Sequence, residues 1–242
     1  MRFTALAVRN FKETFRDPLS IGFEVGIPPL FMVMFWLLGE KIGGDTFTAT
    51  MLFPAVVVFG FVFLTMFSGA VLAGDRQSAL LSRLLTTPLR SSDFILAYIL
   101  PCILIAILQI AVCFVVGTLL GLKVYGNIGL VLLILLLMAI CCIGLGMTLG
   151  SLFTENQVLG VGSAVIVLAS FFGGLWMDLK AIGGIFQGIG YALPFACAVD
   201  AARDVLMGAG FSDITTNLGL VLAYTVGFFV LGIFCFRWRM KE

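Results

Sequence analysis

Charged residues are scarce in this sequence, and histidine is absent. Only 11% of the 242 residues are Asp, Glu, Lys or Arg, whereas 61% are hydrophobic. Because a soluble domain carries about 25% charged residues, this chain has too few of them to cover a surface that faces water. The net charge is +1 and the basic residues are dispersed, which argues against a nucleic-acid-binding surface.

Sequence patterns for metal binding, disulfide frameworks or nucleotide binding are also missing. The six cysteines fall almost entirely in apolar runs without metal-type spacing: Cys102, Cys113, Cys141, Cys142, Cys197 and Cys235. We therefore predict buried apolar thiols, not a zinc site or a disulfide framework. There is no Gly-Lys-Ser/Thr phosphate loop and no nucleophile with a paired acid and base. The sequence predicts no catalytic residue, cofactor or metal on this chain.

Apolar runs long enough to cross the hydrocarbon core, about 20 residues each, recur along the chain. They predict an all-α integral membrane protein with six spans, at roughly 19–39, 52–74, 94–121, 128–152, 158–177 and 218–236. An even number of spans places both termini on one side of the membrane. Ten of the 14 Lys and Arg residues fall on that side, so we expect both termini to be cytoplasmic.

Residues 1–17 precede the first span and have the pattern of an interfacial helix. Apolar side chains recur every fourth position, at Phe3, Ala7, Phe11 and Phe15. The opposite arc carries Arg9, Lys12, Glu13 and Arg16. This pattern predicts an amphipathic helix lying on the membrane, the alternative being a disordered basic tail. The segment lacks the features of a signal peptide, so we expect the first span to be retained.

The connector 75–93, between the second and third spans, carries more apolar surface than a solvated loop needs. Its leucines are Leu80, Leu81, Leu84 and Leu85, interleaved with Arg76, Arg83 and Arg90. It is predicted to be a short cytoplasmic helix that docks on a partner and ends before Pro88. Alternatively, the leucines pack on the protein's own helix ends.

Residues 178–217 are too long for a turn and too apolar for a solvated loop. Two apolar stretches, 182–191 and 198–207, are separated by Pro194. They predict a re-entrant pair of half-helices on the outer side, with 185–193 buried and Asp200, Arg203 and Asp204 near the rim. Asp200 and Arg203 are three residues apart and are expected to pair structurally. The alternative is a helix lying flat in the outer leaflet.

Glu24 and Gln109, both within the predicted spans, are the candidates for the transport path. Glu24 is about one turn inside the first span, so its carboxylate either snorkels to the headgroups or lines a path and pairs with a partner. Gln109 lies mid-span, where an interhelical hydrogen bond or a cavity contact is expected. Glycines four apart, which permit close helix packing, occur at Gly22/Gly26, Gly117/Gly121, Gly146/Gly150 and Gly184/Gly188.

Two motifs resemble a known family. Leu84-Leu85-Thr86-Thr87-Pro88 follows the second span, and Leu193-Pro194 precedes the stretch Val199 to Leu206. With the order of segments, they make the whole chain, 1–242, similar to a single type-2 ABC permease domain. The resemblance implies a dimer, with a second copy or a paralogue, bound to separate cytoplasmic ATPase subunits that carry ATP and Mg²⁺. It implies that the ATPase contact comes from Asp75, Arg76, Leu80, Leu81, Arg83, Leu84, Leu85, Thr87 and Pro88.

The function expected from this resemblance is ATP-driven export of an amphipathic or hydrophobic molecule, such as a drug, peptide, lipid or glycan. An ion-coupled multidrug carrier is one alternative, which would work without ATP and fail without the ion gradient. A membrane-embedded assembly factor or lipid-modifying enzyme is another. That class would need a polar cluster at one interface, which the sequence does not show.

The positive-inside distribution predicts the orientation of the 75–93 connector. A cysteine substituted for Ser78 should not react with an impermeant thiol reagent in intact cells, and should react once the membrane is permeabilised. The unsubstituted protein is the control, since its cysteines fall in apolar runs. Labelling of intact cells at position 78 would overturn the topology.

Overall fold

The computed structural model describes residues 2–16, 18–42, 47–77, 91–176 and 179–239. The helices are α1 (Arg2–Thr14), α2 (Pro18–Ile42), α3 (Ala49–Gln77), α4 (Ser91–Leu119), α5 (Ile128–Leu152), α6 (Glu155–Phe172), α7 (Leu179–Ile182), α8 (Gly184–Ala192), α9 (Pro194–Leu206) and α10 (Thr215–Arg239). A 3₁₀ turn at Phe211–Ile214 leads into α10.

Among the described residues, six helices are long and apolar enough to cross a membrane: α2, α3, α4, α5, α6 and α10. The predicted all-α integral membrane fold with six spans is therefore confirmed. The fifth span ends at Phe172, earlier than the predicted residue 177. Gly173 is its C-cap residue, and Gly174 has φ of +63°, a left-handed conformation that cannot continue a right-handed α-helix.

Local side chains set several helix ends. Asn127 precedes α5, and its side-chain oxygen accepts hydrogen bonds from the backbone N–H groups of Gly129 and Leu130 at 2.9 and 3.4 Å. The Gln157 side chain accepts one from the Thr154 N–H at the start of α6, at 3.0 Å. Pro194 occupies the first turn of α9, where its missing N–H has no helical partner to lose.

Helix α3 forms the centre of the protein. It packs against α2, α4, α5, α6 and α9, whereas α10 packs mainly on α5 and α1 lies across α4. Most of the membrane-spanning part of α3 is buried, including Phe53, Phe61 and Leu64. Helices α2, α6 and α10 expose most of their spans and form the periphery of the single chain.

Glycines allow α3 and α5 to approach closely. An added Cβ at Gly146 would lie 2.1 Å from Ser68 Oγ and 2.4 Å from the Thr65 carbonyl oxygen, and one at Gly150 would lie 2.5 Å from the Gly69 carbonyl oxygen. The expected small-residue packing thus occurs at the Gly146/Gly150 pair. A Cβ at Gly22, Gly26, Gly184 or Gly188 would meet nothing within 4 Å, so those two pairs pack against nothing in the single chain.

The segment after the fifth span contains the predicted bent pair, since α8 and α9 meet at 90° next to Pro194. Helix α9 is the buried half and packs on α3, α5 and α10. The expectation that 185–193 is buried is wrong for the single chain, because Ile185 is 80% exposed and Ile189 is 43% exposed. Backbone hydrogen bonds run along α8 because it is helical, and its apolar side chains are suited to face lipid.

Substituting alanine for Gly146 should destabilise the protein, because the new methyl group would overlap the α3 backbone. Overpacking of this kind costs about 1–3 kcal/mol, so the melting temperature in detergent should fall by several degrees. Gly22→Ala is the matched control, since its Cβ meets nothing and should leave the melting temperature unchanged or slightly higher. Equal melting temperatures for the two variants would contradict the close α3–α5 contact.

Candidate transport cleft and helix anchors

A cleft of about 520 Å³ lies between α2, α3 and α6. It occupies the half of these helices nearest the end of α3, where the chain enters the 78–90 connector. The described residues that line it are Glu13, Ser20, Phe23, Glu24, Ile27, Pro28, Gly60, Phe63, Met66, Phe67, Ala70, Val71, Gly74, Asp75, Glu155 and Leu159. Its volume is within the range of sites that bind small organic molecules, about 300–1,000 Å³.

Glu24 lies in the wall of this cleft. The residue is only 8% exposed, and its Oε2 atom has no hydrogen-bond partner among the described residues. Pro28 and Pro29 follow in the same helix. Because proline has no N–H, the carbonyl groups of Glu24 and Val25 lose their usual helical donors and add negative potential to this part of α2. The geometry favours the path-lining interpretation over snorkelling.

The cleft becomes more acidic towards the end of α3. Glu13, Asp75 and Glu155 lie there, so four carboxylates line one cavity, and no described residue lining it is a Lys or Arg. Arg9, just outside it, forms ion pairs with Glu13 and with Asp75, the latter at 3.2 Å.

Aromatic rings continue from the cleft towards the other end of the spans. Phe63 in the cleft wall contacts Phe59, with ring centroids 5.0 Å apart, and Phe59 contacts Trp176 at 5.2 Å. Trp176 stacks on Phe35 at 4.3 Å, and Phe35 stacks on Phe47 at 5.8 Å. We call these five residues the aromatic ladder. Of the five, only Phe63 lines the cleft among the residues described for it, and the others continue the ring contacts away from it.

Gln109 forms the interhelical hydrogen bond considered for it. Its side chain is fully buried and donates from Nε2 to the Val57 carbonyl oxygen at 3.0 Å, while its Oε1 atom has no partner among the described residues. Gly60 makes room for this amide, because an added Cβ would lie 2.0 Å from Gln109 Nε2. Gly60 itself lines the cleft. Gln109 therefore packs against Gly60 in the cleft wall without itself being among the described lining residues.

Asp75 and Arg76, assigned to the connector by sequence, lie in the last turn of α3 and are held by other helices. Asp75 accepts a hydrogen bond from the Tyr98 hydroxyl at 2.5 Å as well as pairing with Arg9. Arg76 donates to the carbonyl oxygens of Ser151 and Phe153, the latter at 2.8 Å. These contacts fix the helix end from which the connector starts, and we call them the α3 anchor.

The remaining predicted coupling residues lie outside the described residues: Leu80, Leu81, Arg83, Leu84, Leu85, Thr87 and Pro88. Helix α1 is joined to the same anchor, because Arg9 pairs with Asp75 and Asn10 donates to the Ala97 carbonyl oxygen of α4 at 3.3 Å. Partial burial lowers the pKa of Arg9, but the hydrogen bond to Asp75 and the charges of Asp75 and Glu13 raise it, and the net shift is upward. Arg9 therefore remains a fixed positive charge.

A second anchor holds the bent α8–α9 segment. Arg203 on α9 donates to the carbonyl oxygens of Met51 at 3.0 Å, Gly174 at 3.0 Å and Leu175 at 3.3 Å. The expected pairing with Asp200 is present but long, at 3.9 Å. Asp200 also pairs with Lys180 at 3.6 Å and accepts a hydrogen bond from Tyr191. Arg203 thus ties α9 to α3 and to the end of the fifth span.

Sequence reasoning missed Tyr98, Glu155 and the aromatic ladder. Phe63 and Phe59 are two of 24 phenylalanines, and nothing in their spacing distinguishes them from lipid-facing rings. Glu155 follows soon after the fourth span, and an acidic residue next to an apolar run could have marked it as a candidate site residue. No sequence feature marked Tyr98 in this way.

Residues 1–207, which contain the cleft, both anchors and the 75–93 connector, match the family model of the ABC-2 type transporters. The chain therefore belongs to the ABC-2 type transporter family. Over 217 residues it is 26% identical to the daunorubicin resistance ABC transporter permease protein DrrB1 of Streptomyces coeruleorubidus. The aligned region covers 87% of this chain and 75% of that protein.

The anchor formed by Arg203 predicts that lysine cannot replace this arginine. A lysine carries the charge but cannot reach three carbonyl groups with one planar fork, and each buried carbonyl left unpaired costs about 1–3 kcal/mol. Arg203→Lys should therefore lower the melting temperature in detergent by several degrees. Asp204→Asn, an exposed neighbour on the same helix, should not. A lysine variant as stable as the unsubstituted protein would show that charge alone suffices.

Proposed function

We propose that this chain, as a single permease domain over 1–242, is the membrane subunit of an ATP-driven exporter. It would move an amphipathic or hydrophobic molecule out of the cytoplasm, with ATP and Mg²⁺ bound on a separate ATPase. The observation that carries the proposal is the ABC-2 family match, which spans both the cleft and the predicted coupling connector. The likeness to a drug-resistance permease adds support for export of a small molecule.

The proposed orientation places both termini and the 78–90 connector in the cytoplasm, as the Lys and Arg distribution favours. In this orientation the cleft lies in the cytoplasmic half of the membrane, where it could receive substrate from the cytoplasm or the inner leaflet. The aromatic ladder then leads outward. We further propose that two permease chains, identical or paralogous, assemble with two ATPase subunits.

Coupling would pass through the anchor at the end of α3. The connector joins directly to α3 and α4, and Asp75 and Arg76 tie the end of α3 to α1, α4 and α5. Movement of a docked ATPase would therefore displace several helix ends together. Packed helices shift between discrete arrangements as rigid bodies, so this motion could open the cleft alternately to the two sides.

Leu84→Asp tests the coupling assignment. Burying one leucine on a partner is worth about 1.5–3 kcal/mol, and the aspartate would add the cost of a buried charge. Retention of the ATPase during co-purification should fall by more than about tenfold, and ATP-dependent export should stop.

Val124→Asp is the matched control, since it places the same charge on an exposed residue of the 120–127 connector at the opposite end of α4. It should retain the ATPase and transport. If Leu84→Asp inserts normally, keeps its ATPase in full and still exports, the coupling assignment is wrong.

A further inference from the structure

Among the described residues, the cleft between α2, α3 and α6 has more negative charge than Arg9 can neutralise. Four carboxylates line it, and Arg9 pairs with two of them, Glu13 and Asp75. Glu24 is the carboxylate that α2 contributes, and its Oε2 atom is buried and has no hydrogen-bond partner among the described residues. A buried ionised carboxylate without a partner is costly. An occupant that brings a positive charge would remove this cost.

We propose that the cleft is a binding site for a lipophilic aromatic cation, with the Glu24 carboxylate as its counter-ion. The inference rests on the proposed exporter function and names the substrate class. The charge of the ligand would sit beside Glu24, and its apolar part would contact Phe63, Phe67 and Met66, which line the same cavity. The acidic rim at Glu13, Asp75 and Glu155 would attract cations to the entrance.

The composition of the walls separates this class from others. An anion would meet carboxylates on several sides and no lysine or arginine from the described lining residues. An inorganic cation would prefer several oxygen ligands at about 2.0–2.6 Å, whereas the walls around Glu24 are largely Phe, Ile, Pro and Met. A neutral apolar molecule would leave the Glu24 carboxylate uncompensated.

The aromatic wall adds a second reason. A cation over an aromatic face is attracted by the ring quadrupole, most strongly where water is excluded. Phe23, Phe63 and Phe67 line the same cavity as Glu24, so a cation held beside this carboxylate would have aromatic rings within the walls of its site. Planar aromatic ligands can also stack along this wall.

Binding of tetraphenylphosphonium to the purified full-length chain in dodecyl maltoside, measured by titration calorimetry, tests the proposal. Tetraphenylborate has nearly the same size and shape but the opposite charge. We expect the cation to bind and the anion not to bind. Glu24→Gln, which removes the charge and keeps the shape, should weaken cation binding about thirtyfold or more.

Glu40→Gln is the matched control, because Glu40 is an exposed carboxylate on the same helix, outside the described cleft lining. It should bind the cation as the unsubstituted protein does. Phe63→Leu keeps apolar volume and removes the π face, and should weaken binding about threefold to tenfold. Phe234→Leu, an exposed ring on α10, should have no effect. Melting temperatures confirm that each variant is folded.

Equal binding of the two probes, or unchanged cation binding by a folded Glu24→Gln variant, would overturn the cation site. ATP-dependent export by the chain with its co-purified ATPase separates this failure from failure of the proposed function. Export that continues while the cation site is absent would leave the exporter assignment standing. If the chain associates with no ATPase and exports nothing, the proposed function fails, whatever the probes show.

Discussion

Polar groups in a chain surrounded by lipid must find partners within the protein, and this constraint governs the structure. It explains why the described backbone is almost entirely helical and why the side chains that cross between helices donate to backbone carbonyls. Gln109, Arg203 and Arg76 each do so, from α4, α9 and α3. These contacts join the spans at mid-membrane and at both ends. Dispersion contacts and close glycine packing between α3 and α5 complete the bundle.

Two buried side-chain oxygens have no hydrogen-bond partner among the described residues, Glu24 Oε2 and Gln109 Oε1. The amide of Gln109 still donates to Val57, whereas Glu24 is a carboxyl group that lines the cleft, which makes it the more informative of the two. The cleft around it carries three further carboxylates, and the rest of its described lining is mainly apolar and aromatic. A site that binds and releases a ligand must leave some interaction unsatisfied in the empty state, because a fully paired carboxylate would have little to gain from a ligand.

The anchors and the cleft share helices, so the proposed coupling and the proposed binding would not be independent of each other. Asp75 pairs with Arg9 and Tyr98 and also lines the rim of the cleft. Glu155 contributes to the rim, and its carboxylate lies against Gly74, the residue before Asp75. Movement transmitted through the end of α3 would therefore change the spacing of the rim carboxylates. In the proposed transporter, this arrangement would provide a physical route from a docked ATPase to the cleft.

The sequence by itself determined the six spans and the bent pair at Pro194, because hydropathy over about 20 residues and the chemistry of proline are local properties. It also marked Glu24, Gln109 and Arg203 as unusual. It could not decide their partners, since a contact across helices depends on how the spans rotate and pack. Only the tertiary structure distinguished Gly146, which meets the α3 backbone, from Gly22, which meets nothing. Likewise, only the packing of α2, α3 and α6 placed Glu24 and Phe63 in one cavity, because residues 39 positions apart in sequence meet only when the helices assemble.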